Sequence, residues 1–160
     1  MYIRLAEDGD LPDLVQLEKM TFPPAERDSA PVINFRLRHF SNYFWLAETT
    51  SQKVVGAVSC RFTDKDGIDD DLYRAVPVKP GKNLAVLSLA RHPQLPGQGI
   101  AQYLLRHVIR RAVRMQAENI ILACKKRLVS YYRDLGFELK SRSASAWGGA
   151  AWYDMKMKLR

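Results

Sequence analysis

The sequence lacks any run approaching the ~18 consecutive apolar residues of a membrane-spanning helix. Its first ten residues, MYIRLAEDGD, have no apolar core of the kind a secretory leader needs. Neither membrane insertion nor secretion is expected. Cysteine is nearly absent: Cys60 and Cys124 are the only two, each inside an apolar, strand-like run. That favours two buried thiols in a reducing cytoplasm over a disulfide. No zinc-ligand spacing, helix-turn-helix pattern, internal repeat or low-complexity tract is visible. The phosphate motif G-x-x-x-x-G-K-[ST] is missing. G-x-G-x-x-G is also incomplete, because Gln102 stands where its third glycine belongs.

What remains is an ordinary soluble composition, with 47% hydrophobic and 26% charged residues over 160 positions. That length favours one domain, residues 1–160, large enough to bury roughly 70% of the unfolded chain's surface without a metal or disulfide staple. The net charge of +8 suits nucleic acid, a membrane surface or an anionic cofactor, and selects none of them.

The chain is organised around Lys82 to Met115. Leu84 to Ala90 reads as a buried strand. A turn with Pro93, Pro96, Gly97 and Gly99 follows. Then Ile100, Leu104, Val108, Ala112 and Met115 recur at helical spacing. A helix N-terminus presents unpaired N–H groups and a positive dipole end. Glycines there let phosphate oxygens approach.

Around this centre the elements follow in order. Tyr2 to Ala6 alternates as a strand. Asp10 is placed to cap a helix carrying Leu11, Leu14, Val15, Leu17 and Met20, which Pro23 and Pro24 stop. A second helix is predicted over Ala30 to Phe40, then a hairpin of Tyr43–Glu48 and Val54–Arg61. Thr63 to Pro80, with Asp64, Asp66, Asp69, Asp70 and Asp71, reads as a solvated loop or as an acidic lip that attracts a cationic substrate. Asn119–Cys124 is a buried strand. Lys126–Leu135 is a short helix ended by Gly136, and strands begin at Phe137 and at Trp152. The expected fold class is α/β, a mixed central sheet of about seven strands with helices on both faces.

Gln94-Leu95-Pro96-Gly97-Gln98-Gly99 matches Q/R-x-x-G-x-G/A. That pattern, after an apolar strand and opening an amphipathic helix, resembles the pyrophosphate signature of the GNAT superfamily of N-acetyltransferases. The order of elements is similar to that family's over nearly the whole chain. FPPAERDS, YFWLAET with KVVGAVSCRF, and LVSYYRDLGF resemble its arylalkylamine (serotonin) branch. The resemblance implies acetyl-CoA as co-substrate. Leu87, Ser88 and Leu89 would pair by backbone with its pantetheine arm. Gln94, Leu95, Gly97, Gln98, Gly99, Ile100 and Ala101 would wrap its pyrophosphate. Tyr132 would be the general acid. The strand histidines of the serotonin enzyme are absent, since Asn83 and Ala85 occupy their places.

Acetyl transfer needs a neutral amine. At a pKa near ~10.4 only about one molecule in two thousand is neutral at pH 7, an opposition of roughly 4–5 kcal/mol. A base lowers that penalty. Glu26 is the preferred carboxylate, by loose resemblance of FPPAE to an insect enzyme loop, with Asp28 the substitute and ordered water alone a further alternative. A main-chain N–H at Leu89 would meet the oxyanion. The implied reaction is direct attack of a small primary amine, an arylalkylamine first, in a ternary complex. Phe22, Phe35, Phe40, Tyr131 and Trp147 are candidate ring-pocket residues. The alternatives are a protein N-terminal or lysine acetyltransferase, a non-catalytic acyl-CoA sensor, and a nucleic-acid-binding module using Arg106, Arg110, Arg111 and Arg114. No metal, nucleic-acid or membrane partner is expected, and the chain is expected to be a monomer or homodimer.

Overall fold

The computed structural model describes residues 1–77, 79–95 and 99–160. Its elements are β1 (Tyr2–Leu5), α1 (Leu11–Thr21), α2 (Ala30–His39), β2 (Phe44–Glu48), β3 (Val54–Thr63), α3 (Asp70–Tyr73), β4 (Asn83–Arg91), α4 (Ile100–Arg114), β5 (Asn119–Cys124), α5 (Val129–Asp134), β6 (Glu138–Arg142) and β7 (Tyr153–Lys158). The strands form one seven-stranded mixed sheet in the order β1-β2-β3-β4-β5-β7-β6. β1–β2, β2–β3, β5–β7 and β6–β7 are antiparallel, and β4–β5 is parallel.

Two compact units are present. The first comprises Met1–Cys60 and Ser88–Val108. Its core joins Leu14 and Leu17 of α1, Ile33 and Leu37 of α2, Phe44, Leu46 and Ala57 of the hairpin, and Ala90 of β4. Ser29 caps α2 by accepting from the Val32 N–H at 3.4 Å. α1 ends at Thr21, with Phe22 as its C-cap immediately before the two prolines. Asp10, expected to cap α1, does not do so with its side chain. Its carboxylate instead takes two 2.8 Å hydrogen bonds from Arg4 and one from the Glu7 N–H. A charged guanidinium is the stronger partner for a carboxylate. In β3, a Cβ added at Gly56 would lie 2.5 Å from Ile100 Cγ2 and 2.9 Å from Leu104 Cδ1. The absence of a side chain there lets α4 begin flush against the strand.

The second unit comprises Arg61–Leu87 and Ile109–Arg160. Its core includes Ile68, Leu72, Tyr73, Ala85, Leu87 and Ile121. The acidic segment is only in part the solvated loop predicted. Ile68, Leu72 and Tyr73 anchor it in the core, and Ser143 Oγ donates to the Ile68 carbonyl at 2.7 Å. Each of its aspartates has a polar or cationic partner. Asp64 meets Lys79, Asp66 meets Lys156, Asp69 meets Lys65, Asp70 accepts from Ser145 and Asp71 meets Arg74. β6 borders the sheet and is exposed along its whole length.

α4 follows its predicted stripe. Leu104, Leu105, Val108 and Ala112 are fully buried. Each of the three larger side chains contributes about 1.5–3 kcal/mol by leaving water. Arg106, Arg110 and Arg114 lie on the exposed face, and Arg111 is half-buried. The helix predicted over Lys126–Leu135 is shorter: a tight turn at Lys126–Leu128, then α5. Gly136 ends it in the left-handed region, φ 103°.

Candidate active site

In the first unit, α1 buries Leu14, Leu17 and Glu18 together, because positions i, i+3 and i+4 share a helix face. Glu18 thereby joins an inward cluster with Asp28, Arg36, Ser59 and Ser88. The Asp28 N–H donates to Glu18 Oε1 at 2.8 Å, and Ser88 Oγ lies 3.4 Å from Oε2. Arg36, buried on α2 between Ile33 and Leu37, holds the Asp28 carboxylate with two donors at 2.6 and 3.3 Å. Its Nη1 also donates to Ser59 Oγ at 3.2 Å. Burial, then the neighbouring Asp28 carboxylate, push the proton affinity of Glu18 up, to about 8, against the Asp28 N–H, Arg36 and Ser88. These groups, with Leu14, Leu17, Ile33, Phe44, Ala57 and Ala90, line a partly open pocket of about 20 Å³. It has room for a water molecule but not for an aromatic ring.

Sequence reasoning missed Glu18 and Arg36. The available signal was a charged residue at a position that the helical spacing assigns to the core. The residues it preferred lie elsewhere. Glu26 is half-buried in the tight turn Pro24–Glu26 and does not border the cavity. Asp28 borders it but is bound to Arg36. None of the five aromatics proposed for a ring pocket lines it. Phe35 packs on His39 and Phe40, Trp147 packs on Tyr73, Tyr131 packs on Tyr132, and Phe22 packs on the core of the first unit.

The glycine turn belongs to the same unit. Gln94 is exposed, and its N–H meets His92 Nδ1 at 3.3 Å. The Leu95 N–H donates to the His92 carbonyl at 3.2 Å. Gly97 and Gln98 lie outside the described residues. Gly99 is exposed at φ 63°, and no atom comes within 4 Å of where its Cβ would stand. Ile100 is buried and opens α4, whose first turn carries no acidic side chain. Ala101 follows, half-buried.

The second unit holds Tyr132 and β4 as far as Leu87. β4 pairs with β5 from Asn83↔Asn119 to Ala85↔Ile121, and the pairing ends there, before Leu87 and Leu122. Ser88 and Leu89 continue β4, half-buried. On its other side β5 is paired with β7 as far as Cys124. Tyr132 is buried in α5, edge-on to Tyr131 and Phe137 with ring centroids 5.2 and 5.9 Å apart. The Leu135 and Phe137 N–H groups both donate to its carbonyl at 3.1 Å, which fixes its backbone. Burial first, then Cys124 and Tyr131, raise the phenol's pKa, so it is a neutral O–H near pH 7. Among the described residues its hydroxyl has no hydrogen-bond partner. Cys60 and Cys124 are buried free thiols, as the sequence predicted, and burial pushes the Cys124 thiol up to about 11 and raises that of Cys60, so both stay protonated near pH 7.

No helix is long and apolar enough to cross a membrane, and no cluster of potential metal ligands occurs, among the described residues. No curated protein sequence matches the chain. Among solved structures, the GNAT-like decarboxylase GphF in complex with isobutyryl-CoA is similar at a TM-score of 0.84 and 18% identity, covering 100% of both chains. The loading GNATL domain of CurA from Lyngbya majuscula is similar at 0.84 and 14%, covering 98% of this chain and 96% of its own. The ribosomal-protein-S18-alanine N-acetyltransferase from Escherichia coli is similar at 0.73 and 15%, covering 99% and 93%. At these identities the likeness speaks to the fold. The sequence profile of the Acetyltransferase (GNAT) family matches residues 11–137, most of the chain. On that match, and on a fold of the same kind, the chain belongs to the GNAT family of acetyltransferases.

Proposed function

We propose that the protein transfers an acetyl group from acetyl-CoA to a small primary amine, an arylalkylamine first among them, by direct attack in a ternary complex. The observation that carries this reading is Tyr132: a buried, neutral phenol, fixed by its helix end, whose O–H is not used by the described protein.

The residues around the glycine turn suit the co-substrate. The open space in front of Gly99 and the acid-free first turn of α4 can receive a pyrophosphate on the N–H groups of Ile100 and Ala101. Gln94 and Leu95 lead into that turn, and Gly97 and Gln98 would complete it. Leu87, Ser88 and Leu89 follow the last β4–β5 pair, so their main chain is offered to the pantetheine arm. Acetyl-CoA, when bound, supplies the thioester. The Leu89 N–H donates to the oxyanion as it develops. Tyr132 gives its proton to the departing sulfur, which the raised pKa permits because the phenol holds that proton at neutral pH. The loop resemblance nominates Glu26 for the amine's proton.

The test is release of free thiol from acetyl-CoA across tryptamine, phenethylamine, spermidine, an aminoglycoside and short peptides. Turnover strongest with the arylalkylamines is the expected result. Turnover confined to peptides reassigns the acceptor to protein amino groups. Thiol release with none of them, alongside tight coenzyme A binding, makes the protein a sensor.

A further inference from the structure

The acetyl-transfer reading leaves Glu18 without a task, yet the fold buries this carboxyl on the inward face of α1 and orients it. We infer that Glu18 takes the proton of the acceptor amine by way of Ser88, and that the Asp28–Arg36 pair is the device that positions it. The inference rests on the acetyl-transfer reading and replaces Glu26 as the base within it.

The geometry supports each part. Glu18 Oε1 is held by the Asp28 N–H at 2.8 Å, so the carboxyl cannot rotate freely. Oε2 is left facing Ser88 Oγ at 3.4 Å. Ser88 stands on β4 between Leu87 and Leu89, the residues to which the acetyl arm is assigned. The cavity between Glu18, Ser59 and Ser88, about 20 Å³, has room for a bridging water as a second route.

Charge around the carboxyl is balanced. The ionisable groups facing it are Asp28, from the loop before α2, and Arg36, from α2. β2, β3 and β4 present Phe44, Ala57, Ser59, Ser88 and Ala90, none of which ionises near neutral pH. Arg36 is shared with Asp28, and its attraction for an ionised Glu18 is outweighed by burial and by the Asp28 carboxylate. A carboxylate in that position is a strong proton acceptor, poised near neutral pH where a general base works best.

The step balances. As the amine nitrogen bonds to the thioester carbonyl carbon, its proton passes to Ser88 Oγ while the Ser88 proton passes to Glu18 Oε2. The C–S bond then breaks, its electron pair leaves on sulfur, and Tyr132 protonates the sulfur. Glu18 returns its proton to solvent, and Tyr132 regains one.

Two measurements on Glu18→Gln test this. The first is the pH profile of kcat/KM for a primary amine. A loss of about 100-fold or more is expected, with the KM for acetyl-CoA unchanged. The second is a 13C NMR titration of glutamate-labelled protein without any ligand. The parent should show one carboxyl titrating near pH 8 that is missing from the variant. Glu18→Asp, a fallback that keeps the acid but shortens its reach, should lose at least tenfold in rate and keep the ionisation. The inference is overturned if Glu18→Gln tracks the parent at every pH, if the large loss follows Glu26→Gln instead, or if the titrating signal survives in Glu18→Gln. If the parent releases no thiol with any amine, the acetyl-transfer reading fails, and the ligand-free titration still reports whether Glu18 is the buried acid described.

Discussion

Replacing Glu18 by Gln should change how stability depends on pH, independently of any reaction. The folded chain holds the Glu18 proton up to about pH 8, against an ordinary value of 4.5. The unfolded chain releases that proton above ~4.3. Between these limits the folded state binds a proton that the unfolded state has lost, so rising pH favours unfolding. The contribution is fully present below the unfolded value and is lost as pH climbs through the folded one. Each unit corresponds to about 1.4 kcal/mol, so crossing the window costs on the order of 4–5 kcal/mol, a large share of the ~5–15 kcal/mol that holds a typical domain together. Gln is a neutral isostere of the protonated acid and carries no such slope. Urea unfolding of parent and variant at pH 5, 6, 7 and 8 measures the difference. The variant should gain on the parent by about 1 kcal/mol or more with each unit of pH. Parallel stability curves would refute the claim that Glu18 is buried as an acid.

Tyr132→Phe keeps the packing on Tyr131 and Phe137 and deletes only the hydroxyl. Its kcat should fall ~100- to 10,000-fold with thermal stability nearly unchanged, and a kcat within twofold would make Tyr132 a packing residue. Gly99→Val puts a branched residue at φ 63° and fills the space in front of α4. Calorimetry should show acetyl-CoA affinity reduced about tenfold or more, at ~1.4 kcal/mol per tenfold; unchanged affinity in a folded variant would remove the pyrophosphate assignment. Gly56→Ala would press on Ile100 and Leu104 at 2.5 and 2.9 Å. Overpacking of about 1–3 kcal/mol should lower Tm by several degrees, and weaken acetyl-CoA binding because Ile100 opens the helix; an unshifted Tm would show that the strand yields without moving it.

Much of this architecture could be read from residue order because its signals are local. Asn119–Cys124 emerged with its predicted bounds, and α4 ended one residue short of Met115, because each carries an uninterrupted apolar pattern. The left-handed residue at Gly136 followed from Leu135-Gly136-Phe137, and Tyr132 was reached through that same segment. The acid cluster was not legible in this way. Glu18 and Arg36 interrupt apolar stripes. Their meaning comes from partners 10 and 8 residues away in the chain, and from Ser59 and Ser88 on separate strands. Periodicity treats such residues as misplaced surface side chains. The anchoring of Ile68–Tyr73 escaped for a related reason: five aspartates outweighed Ile68 and Leu72 in the pattern, while the aspartates' hydrogen-bonding and ionic partners come partly from the distant Ser145 and Lys156. The arylalkylamine assignment rests on loop resemblance, and the aromatics it invoked are occupied in packing.

The fully exposed border strand β6 has a consequence for how copies of this protein tolerate one another. A sheet margin with open backbone groups is a template for adding a foreign strand. Here it is five residues long and carries Glu138, Lys140 and Arg142, with Lys140 paired to Glu138 at 2.9 Å. So short a margin, bearing charged side chains that lose hydration when covered, leaves a second strand little length to zip along. Crowding during synthesis should therefore draw chains together along β6 less readily than along a long, apolar margin.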